Sequence, residues 1–453
     1  MLTDLLLIAV FLLFSILLLS KSFQYMVIFL SFFIPFEEFV LKFMPVSDEL
    51  YSLLRYGSEL LLFLTFIALV FKKITEKKPF VRTAVDVPVF IFATVVFLSG
   101  LLNQIPFLEI ILFIRIVLRY YILYFVVVNL ELDREFSKKL IKGLIIIVLI
   151  QFVLGFAQVL IGSPLNKILL PRPSTLTVGS YSKEWLLLRG LRENGYLAFG
   201  TFGDPVNLGL FIFAIFVSIL GTRFVWRKPI KKLWLFFIAS FLTLLFTYSV
   251  GLIFALFVGL LFITIIKRKW TLVLSSSIIV LSFFLILTFF PADFAEVVTS
   301  NSAISPLRNL SATFSTTFLE SIQENRLFTL TEVPKVILTQ SPILGFGPGW
   351  NLIKDRISNY WLGDVYWAMI LAEGGLIGLF AFIWIFWRLY KTALGVYQNS
   401  TDWLKKGISL GFLGVIVGVL FYNFIGPALE TRPLAFYFWL FAGLIGNWSR
   451  STI

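Results

Sequence analysis

The sequence predicts an all-α, polytopic integral membrane protein, and three observations predict it. Of 453 residues, 59% are hydrophobic, 14% are charged and 53 are Phe, more apolar surface than a soluble core needs. The apolar residues fall in runs of spanning length, since about 20 helical residues cross a hydrocarbon layer roughly 30 Å thick. The basic residues gather in alternate connections, the asymmetry that sets orientation in a bilayer. A span in lipid must pair its own backbone polar groups, so runs of this length read as helices.

The runs lie near residues 2–20, 23–41, 52–71, 84–102, 107–130, 143–162, 205–221, 233–249, 251–266, 271–290, 363–387, 407–425 and 433–448, which gives about twelve or thirteen spans. The first run is too long for a removable signal peptide and lacks a small-residue cleavage site. Residues 1–453 read as a single transmembrane domain with no linker. Short basic connections contain Lys72, Lys73, Lys77, Lys78 and Arg82, then Arg223, Arg227, Lys228, Lys231 and Lys232, then Lys267, Arg268 and Lys269. Lys138, Lys139 and Lys142 flank a fourth connection, and Arg388, Lys391, Lys405 and Lys406 a fifth. Alternating spans put all five on the cytoplasmic side. The C-terminus is then cytoplasmic, and the N-terminus lies inside or outside according to whether twelve or thirteen spans are counted. The net charge of +13 is therefore mostly topology and does not point to nucleic acid.

Two long polar stretches, residues 163–204 and 291–362, fall on the outer side as extracytoplasmic loops. Loops of this length are functional or disordered, and neither has the composition of disorder. Residues 307–323 and 330–340 read as short amphipathic helices lying on the surface. Two outer loops on one face of an apolar protein suggest a reaction at the membrane surface.

The chain has no Cys and no His, which excludes thiol catalysis, a Ser-His-Asp triad and Cys/His zinc sites. No paired aspartates of DxD type occur in the outer loops, which argues against a metal-held sugar nucleotide. No metal and no cofactor are expected. The outer loops do hold Arg172, Arg189, Arg192, Arg308, Arg326 and Arg356, against the inside bias. A guanidinium is a permanently charged planar fork suited to phosphate. Each also has a plainer reading as one half of a surface ion pair, such as Arg192 with Glu193 or Arg326 with Glu324.

Within the spans, Arg115 and Arg119 stand one turn apart with no acidic neighbour in sequence, so they require an anion or a wet cavity. Arg55 and Glu59 have the same spacing and most simply neutralise each other. Candidates for a general base are Glu37, Glu38, Asp204, Asp355, Asp364 and Glu373. Asp364 has a plainer reading as a helix cap, and Glu373 as a bystander among packing glycines. The turns GTFGDP from Gly200 and GFGPG from Gly345, with Gly347 at its centre, are shapes in which backbone amides can face an anion.

Three segments in order resemble the O-antigen ligase/polymerase superfamily, the Wzy- and WaaL-type proteins of bacterial polysaccharide assembly. They are GTFGDPVN from Gly200, Arg326 ahead of SPILGFGPG from Ser341, and DVYWAMILAEGGLIGL from Asp364. The chain departs from the family pattern at three places. Leu197 stands where the family has Arg, so Arg192 or Arg189 must substitute. YSVG from Tyr248 lacks the family's Arg. Asp364 occupies the position of the His typical of ligases, which tilts the resemblance toward O-antigen polymerases. The resemblance implies a GT-C-type glycosyltransferase bundle and metal-independent transfer of a glycan from an undecaprenyl-pyrophosphate donor to the terminal sugar of another lipid-linked repeat. It implies Arg326, Asp364 and Arg192 as catalytic, with Arg189, Arg308, Arg115, Arg119, Gly345 and Gly347 binding pyrophosphate or glycan. The implied setting is the bacterial inner (cytoplasmic) membrane with the site facing outward, membrane lipids around it and a chain-length regulator as a further partner. An O-antigen ligase-type transfer and a transporter or flippase of an anionic lipid or solute stand as alternatives.

Overall fold

The computed structural model describes residues 22–171, 197–225, 232–247, 249–268, 327–348 and 365–450. Helices dominate, and no strand occurs among these residues. In chain order they are α1 (Phe23–Phe33), running through a 3-10 turn (Ile34–Phe36) into α2 (Glu37–Lys42), then α3 (Asp48–Leu54), α4 (Gly57–Thr75) and α5 (Asp86–Leu102). Next come α6 (Phe107–Leu118), α7 (Tyr121–Asn129), α8 (Arg134–Ile161), α9 (Ser163–Leu169), α10 (Pro205–Val225), α11 (Lys232–Phe246) and α12 (Val250–Ile266). The last group is α13 (Leu327–Gln340), α14 (Tyr366–Asn399), α15 (Trp403–Tyr422), a 3-10 turn (Ala428–Glu430) and α16 (Arg432–Ser449).

Among the described residues, five helical stretches are long and apolar enough to cross a membrane: Phe23–Lys42, Arg134–Ile161, Pro205–Val225, Tyr366–Asn399 and Trp403–Tyr422. The pair α6 and α7, bent by 52°, makes a sixth if it is one broken span. The chain is thus consistent with a multi-pass membrane protein. The expected runs 2–20 and 271–290 lie outside the described residues. Several expected boundaries move. The run expected at 52–71 is broken at Arg55–Tyr56, and its long helix is α4, Gly57–Thr75. α8 begins at Arg134 rather than near 143, so Lys138, Lys139 and Lys142 ride on its first turns, with Asp133 capping the Phe136 amide at 2.6 Å. α14 runs to Asn399 rather than stopping near 387, and it carries Arg388 and Lys391.

The layout follows from which faces are apolar. α10, α15 and α16 are buried almost all round and form the centre. α4 shows an exposed stripe of Leu60, Phe63, Ile67, Phe71 and Ile74 at helical spacing, and α14 shows Leu376, Phe380, Ile383 and Trp387. Such stripes are costly in water and suited to lipid. α15 packs most closely on α10 and α12, α14 on α5, and α16 on α7. A side chain on Gly411 of α15 would run into the Val217 and Ser218 carbonyls of α10, so the two backbones touch there as small-residue packing allows.

The basic residues of the short connections gather at one end. Arg134 pairs with Asp402 at 2.9 Å, Lys267 and Lys406 both sit over the Tyr397 ring, and Lys73 donates to Asn129 at 2.9 Å. Arg432 and Arg450 mark opposite ends of α16, roughly 27 Å apart at 1.5 Å rise per residue.

α14 is interrupted at Gly375 (φ 60, ψ −162), a conformation that an L side chain rarely adopts. The Leu376 and Ile377 amides freed by the break donate to the Pro342 (2.9 Å) and Ile343 (3.3 Å) carbonyls, and the Phe346 amide donates to the Ala372 carbonyl at 2.6 Å. Gly411→Leu should abolish the monodisperse peak in size-exclusion chromatography of detergent-solubilised protein, because neither backbone can retreat. A normal elution profile would contradict the packing described.

Candidate functional site

Toward the end opposite the basic face, α2, α4, α6 and the start of α16 bring buried charges together. Glu59, on the first turn of α4, accepts from Arg115 Nη2 at 2.5 Å and from Arg119 Nη1 at 3.2 Å. Only 7% of its side chain is exposed, against 30% for Arg115 and 16% for Arg119. Arg119 also donates through Nη2 to the Glu430 carbonyl at 3.4 Å. Arg432 binds Glu37 and the Ser58 hydroxyl through Nη2, and donates through Nε to the Tyr120 hydroxyl at 3.2 Å. Arg55 pairs with Glu38 at 3.0 Å.

The local sequence explains how these side chains are held. Glu37 and Glu38 open α2, where negative charge meets the positive end of the helix, and Glu37 also accepts the Ser58 amide at 3.3 Å. Arg119 and Tyr120 occupy the bend between α6 and α7, and Arg119 Nε donates to the Ile116 carbonyl at 3.4 Å. A side chain bonded into the helix ladder is a recognised cause of a kink. Glu430 lies in the turn before α16, with its Oε1 enclosed. Burial pushes its carboxyl up from 4.5 to about 7, with Arg119 and the Tyr366 hydroxyl opposing that rise.

Several expectations are corrected here. Arg55 and Glu59 do not pair with each other: each turns to a different helix, Arg55 to Glu38 and Glu59 to the two α6 arginines. The anion that Arg115 and Arg119 require is therefore supplied within the protein, though each guanidinium keeps donors that Glu59 does not use. Several amides of the glycine turns are already taken within the protein. In the first, the Phe199 and Gly200 amides donate to Gln158 Oε1 at 3.0 and 2.8 Å, and the Thr201 amide donates to Gln151 Oε1 at 3.1 Å. In the second, the Gly345 amide is taken by Ser341, and the Gly345 carbonyl accepts from Ser341 Oγ (2.7 Å) and Asn103 Nδ2 (3.3 Å). Gly345 abuts the Ala372 carbonyl and Gly347 abuts Gly100, so both are glycine for close approach. Asp204 caps α10 through the Val206 and Asn207 amides at 2.7 and 3.2 Å, and Glu373 is buried beside the break in α14.

Arg189, Arg192, Arg308, Arg326 and Asp364 lie outside the described residues. Glu430 and Arg432 are site residues that sequence reasoning missed. The signal was present in ALETR, an acid and a base two positions apart at the mouth of an apolar helix.

No family model matches the chain, and no curated protein matches it in sequence.

Two measurements probe the cluster. Glu59→Gln leaves Arg115 and Arg119 uncompensated and should cost about 3 kcal/mol, seen as a lower Tm in detergent. Adding Arg115→Gln should recover part of the loss, and strict additivity of the two would refute the pairing. For Glu430, the folded state keeps a proton that the unfolded chain releases between pH 4.5 and about 7. Its contribution to stability therefore falls as pH rises through that window. Glu430→Gln should flatten this fall in melts from pH 4.5 to 8, and parallel curves would exclude it.

Proposed function

We propose that the chain is a multi-pass glycosyltransferase of the inner membrane, similar to O-antigen polymerases and GT-C-like in arrangement. It would transfer a glycan from an undecaprenyl-pyrophosphate donor to the terminal sugar hydroxyl of a second lipid-linked repeat. The observation that carries the reading is the docking of two of the resembling segments on each other: the GFGPG turn packs into the break in LAEGGLIGL through Phe346, Ala372 and Gly375. The remaining one, GTFGDP, bonds through the Thr201 hydroxyl to the Pro35 carbonyl, two residues before Glu37 of the charged cluster. By the positive-inside rule the basic end faces the cytoplasm and the cluster faces outward.

The chemistry required is a new bond from the acceptor oxygen to the donor's anomeric carbon. The bond from that carbon to the pyrophosphate oxygen breaks, and undecaprenyl pyrophosphate leaves with the electron pair. Arginines aimed at the leaving anion would stabilise the charge as it develops. Arg115 and Arg119, partly exposed members of the cluster bonded to Glu59, keep donors for this, and Arg326 with Arg192 or Arg189 would approach from the loops. The acceptor proton would pass to a carboxylate. Asp364, two residues before Tyr366 in the chain, is one candidate. Glu430, whose carboxyl burial pushes up to about 7, is another, and its enclosed Oε1 would have to be uncovered to reach the acceptor.

A transport reading gains from one observation. Helices broken at Gly375 and at Arg119–Tyr120 are the discontinuities on which many transporters build substrate sites. Purified protein given lipid-linked repeat alone distinguishes the possibilities: a polymerase yields a ladder, a ligase requires another acceptor, and a transporter yields flux without product. Arg326→Ala should lower ladder formation by roughly 10²–10³-fold, the cost of losing one charge-stabilising donor, with size-exclusion behaviour unchanged. Wild-type chain lengths at the wild-type rate would sink the assignment.

A further inference from the structure

A cavity of about 430 Å³ opens at the basic end of the bundle, far from the charged cluster of the outer half. Arg82, just before α5, lines it together with Arg388 and Lys391 of α14 and Arg450 at the end of α16, and no acidic residue does. Thr83 and Gly395 complete the relevant wall. The volume falls in the range of small-molecule pockets, about 300–1,000 Å³.

Topology accounts for basic residues at this end, but it does not account for four cations around one hollow. Some other charges at this end are paired with acids, Arg134 with Asp402 at 2.9 Å, Lys78 with Glu76 at 3.0 Å and Lys138 with Glu135 at 3.6 Å, while Lys73 is held by the Pro79 carbonyl and Asn129 Oδ1. None of the four lining cations has a carboxylate partner among the described residues. The acid closest to them in sequence, Asp86, is engaged by the Thr83 amide and hydroxyl and by the Tyr121 hydroxyl. Like charges gathered around one concavity repel unless an anion enters.

Their placement is fixed by the backbone. Arg388 donates through Nε to the Ala84 carbonyl at 3.1 Å, and Arg450 donates through Nη1 to the Val128 carbonyl at 3.1 Å. These bonds tether both guanidiniums and leave further N–H donors without a partner among the described residues. Lys391 sits over the Trp387 ring at 5.0 Å. At Gly395 an added Cβ would meet nothing within 4 Å, so the wall is open there.

We propose that this cavity binds a phosphate-bearing anion through Arg82, Arg388, Lys391 and Arg450. Forked guanidinium donors match phosphate oxygens, and basic pockets between membrane helices take anionic headgroups. An anionic phospholipid and a soluble phosphate compound share this chemistry. The site does not depend on the glycosyltransferase reading.

The test uses full-length protein in neutral detergent and reads Tm, which rises when a ligand binds the folded state. One arm adds phosphatidylglycerol, with phosphatidylcholine as its control, and the other adds inorganic pyrophosphate. The expected result is a rise with at least one of the two. Phosphatidylglycerol alone identifies a lipid headgroup, pyrophosphate alone a soluble ligand, and both the phosphate group itself. Arg388→Gln with Arg450→Gln should weaken apparent affinity roughly tenfold or more, as loss of charge-assisted bonds does. Gly395→Leu fills the cavity without changing charge, and should remove the rise while the unliganded Tm stays near wild type. Lys139→Gln, elsewhere on the same end, should leave the rise intact. No rise in wild type, a rise that survives Gly395→Leu, or equal loss in Lys139→Gln would each overturn the proposal.

Discussion

A carboxylate or guanidinium buried in an apolar bundle must be neutralised by the protein around it, and that requirement governs how the end of the molecule opposite the basic face is assembled. Glu59 is held by two arginines of α6, and Glu37 by Arg432 of α16. Each bond joins helices distant in sequence. Removing one partner strands the other in a low-dielectric setting, a loss larger than the worth of the pair itself. The cluster is therefore a specification of which helices meet, and any ligand chemistry there is built on groups already committed to one another.

The apolar helices were legible because hydropathy is a local property, although of the twelve or thirteen expected spans five, or six with the bent pair, are long and apolar enough to cross a membrane among the described residues. A run of apolar residues declares itself without reference to any other segment, and so did α10, α12 and α15. Pairing was not legible. The spacing of Arg55 and Glu59 fits an intrahelical bridge, yet the break at Tyr56 between α3 and α4 separates them, and each finds a better partner on another helix. The glycine turns were legible as turns, but the groups that occupy their amides, Gln151 and Gln158, come from α8, about 40 to 50 residues earlier. Glu430 escaped notice because a single acid in a short connection looks like any other. Its environment, set by Arg119 and Tyr366, exists only once α6, α14 and α16 are together.

The two ends of the bundle handle charge differently. At the end opposite the basic face, four guanidiniums are matched against three carboxylates, of which Glu37 and Glu59 are buried and Glu38 half-buried, and burial pushes the Glu430 carboxyl up. At the basic end, most charges are solvated or loosely paired, but four line a hollow without a carboxylate partner among the described residues. The first arrangement is tightly determined by protein groups. The second leaves its neutralisation to something that arrives.

The break at Gly375 bears on the order in which the protein can be made. Its freed amides are satisfied by carbonyls of residues 342 and 343, which leave the ribosome before the helix that needs them. The cap precedes the gap. In a helix long and apolar enough to cross a bilayer, amides freed by a break would face lipid unpaired, and here their partners lie upstream in the chain. The reverse order would require an incomplete helix to wait in the membrane.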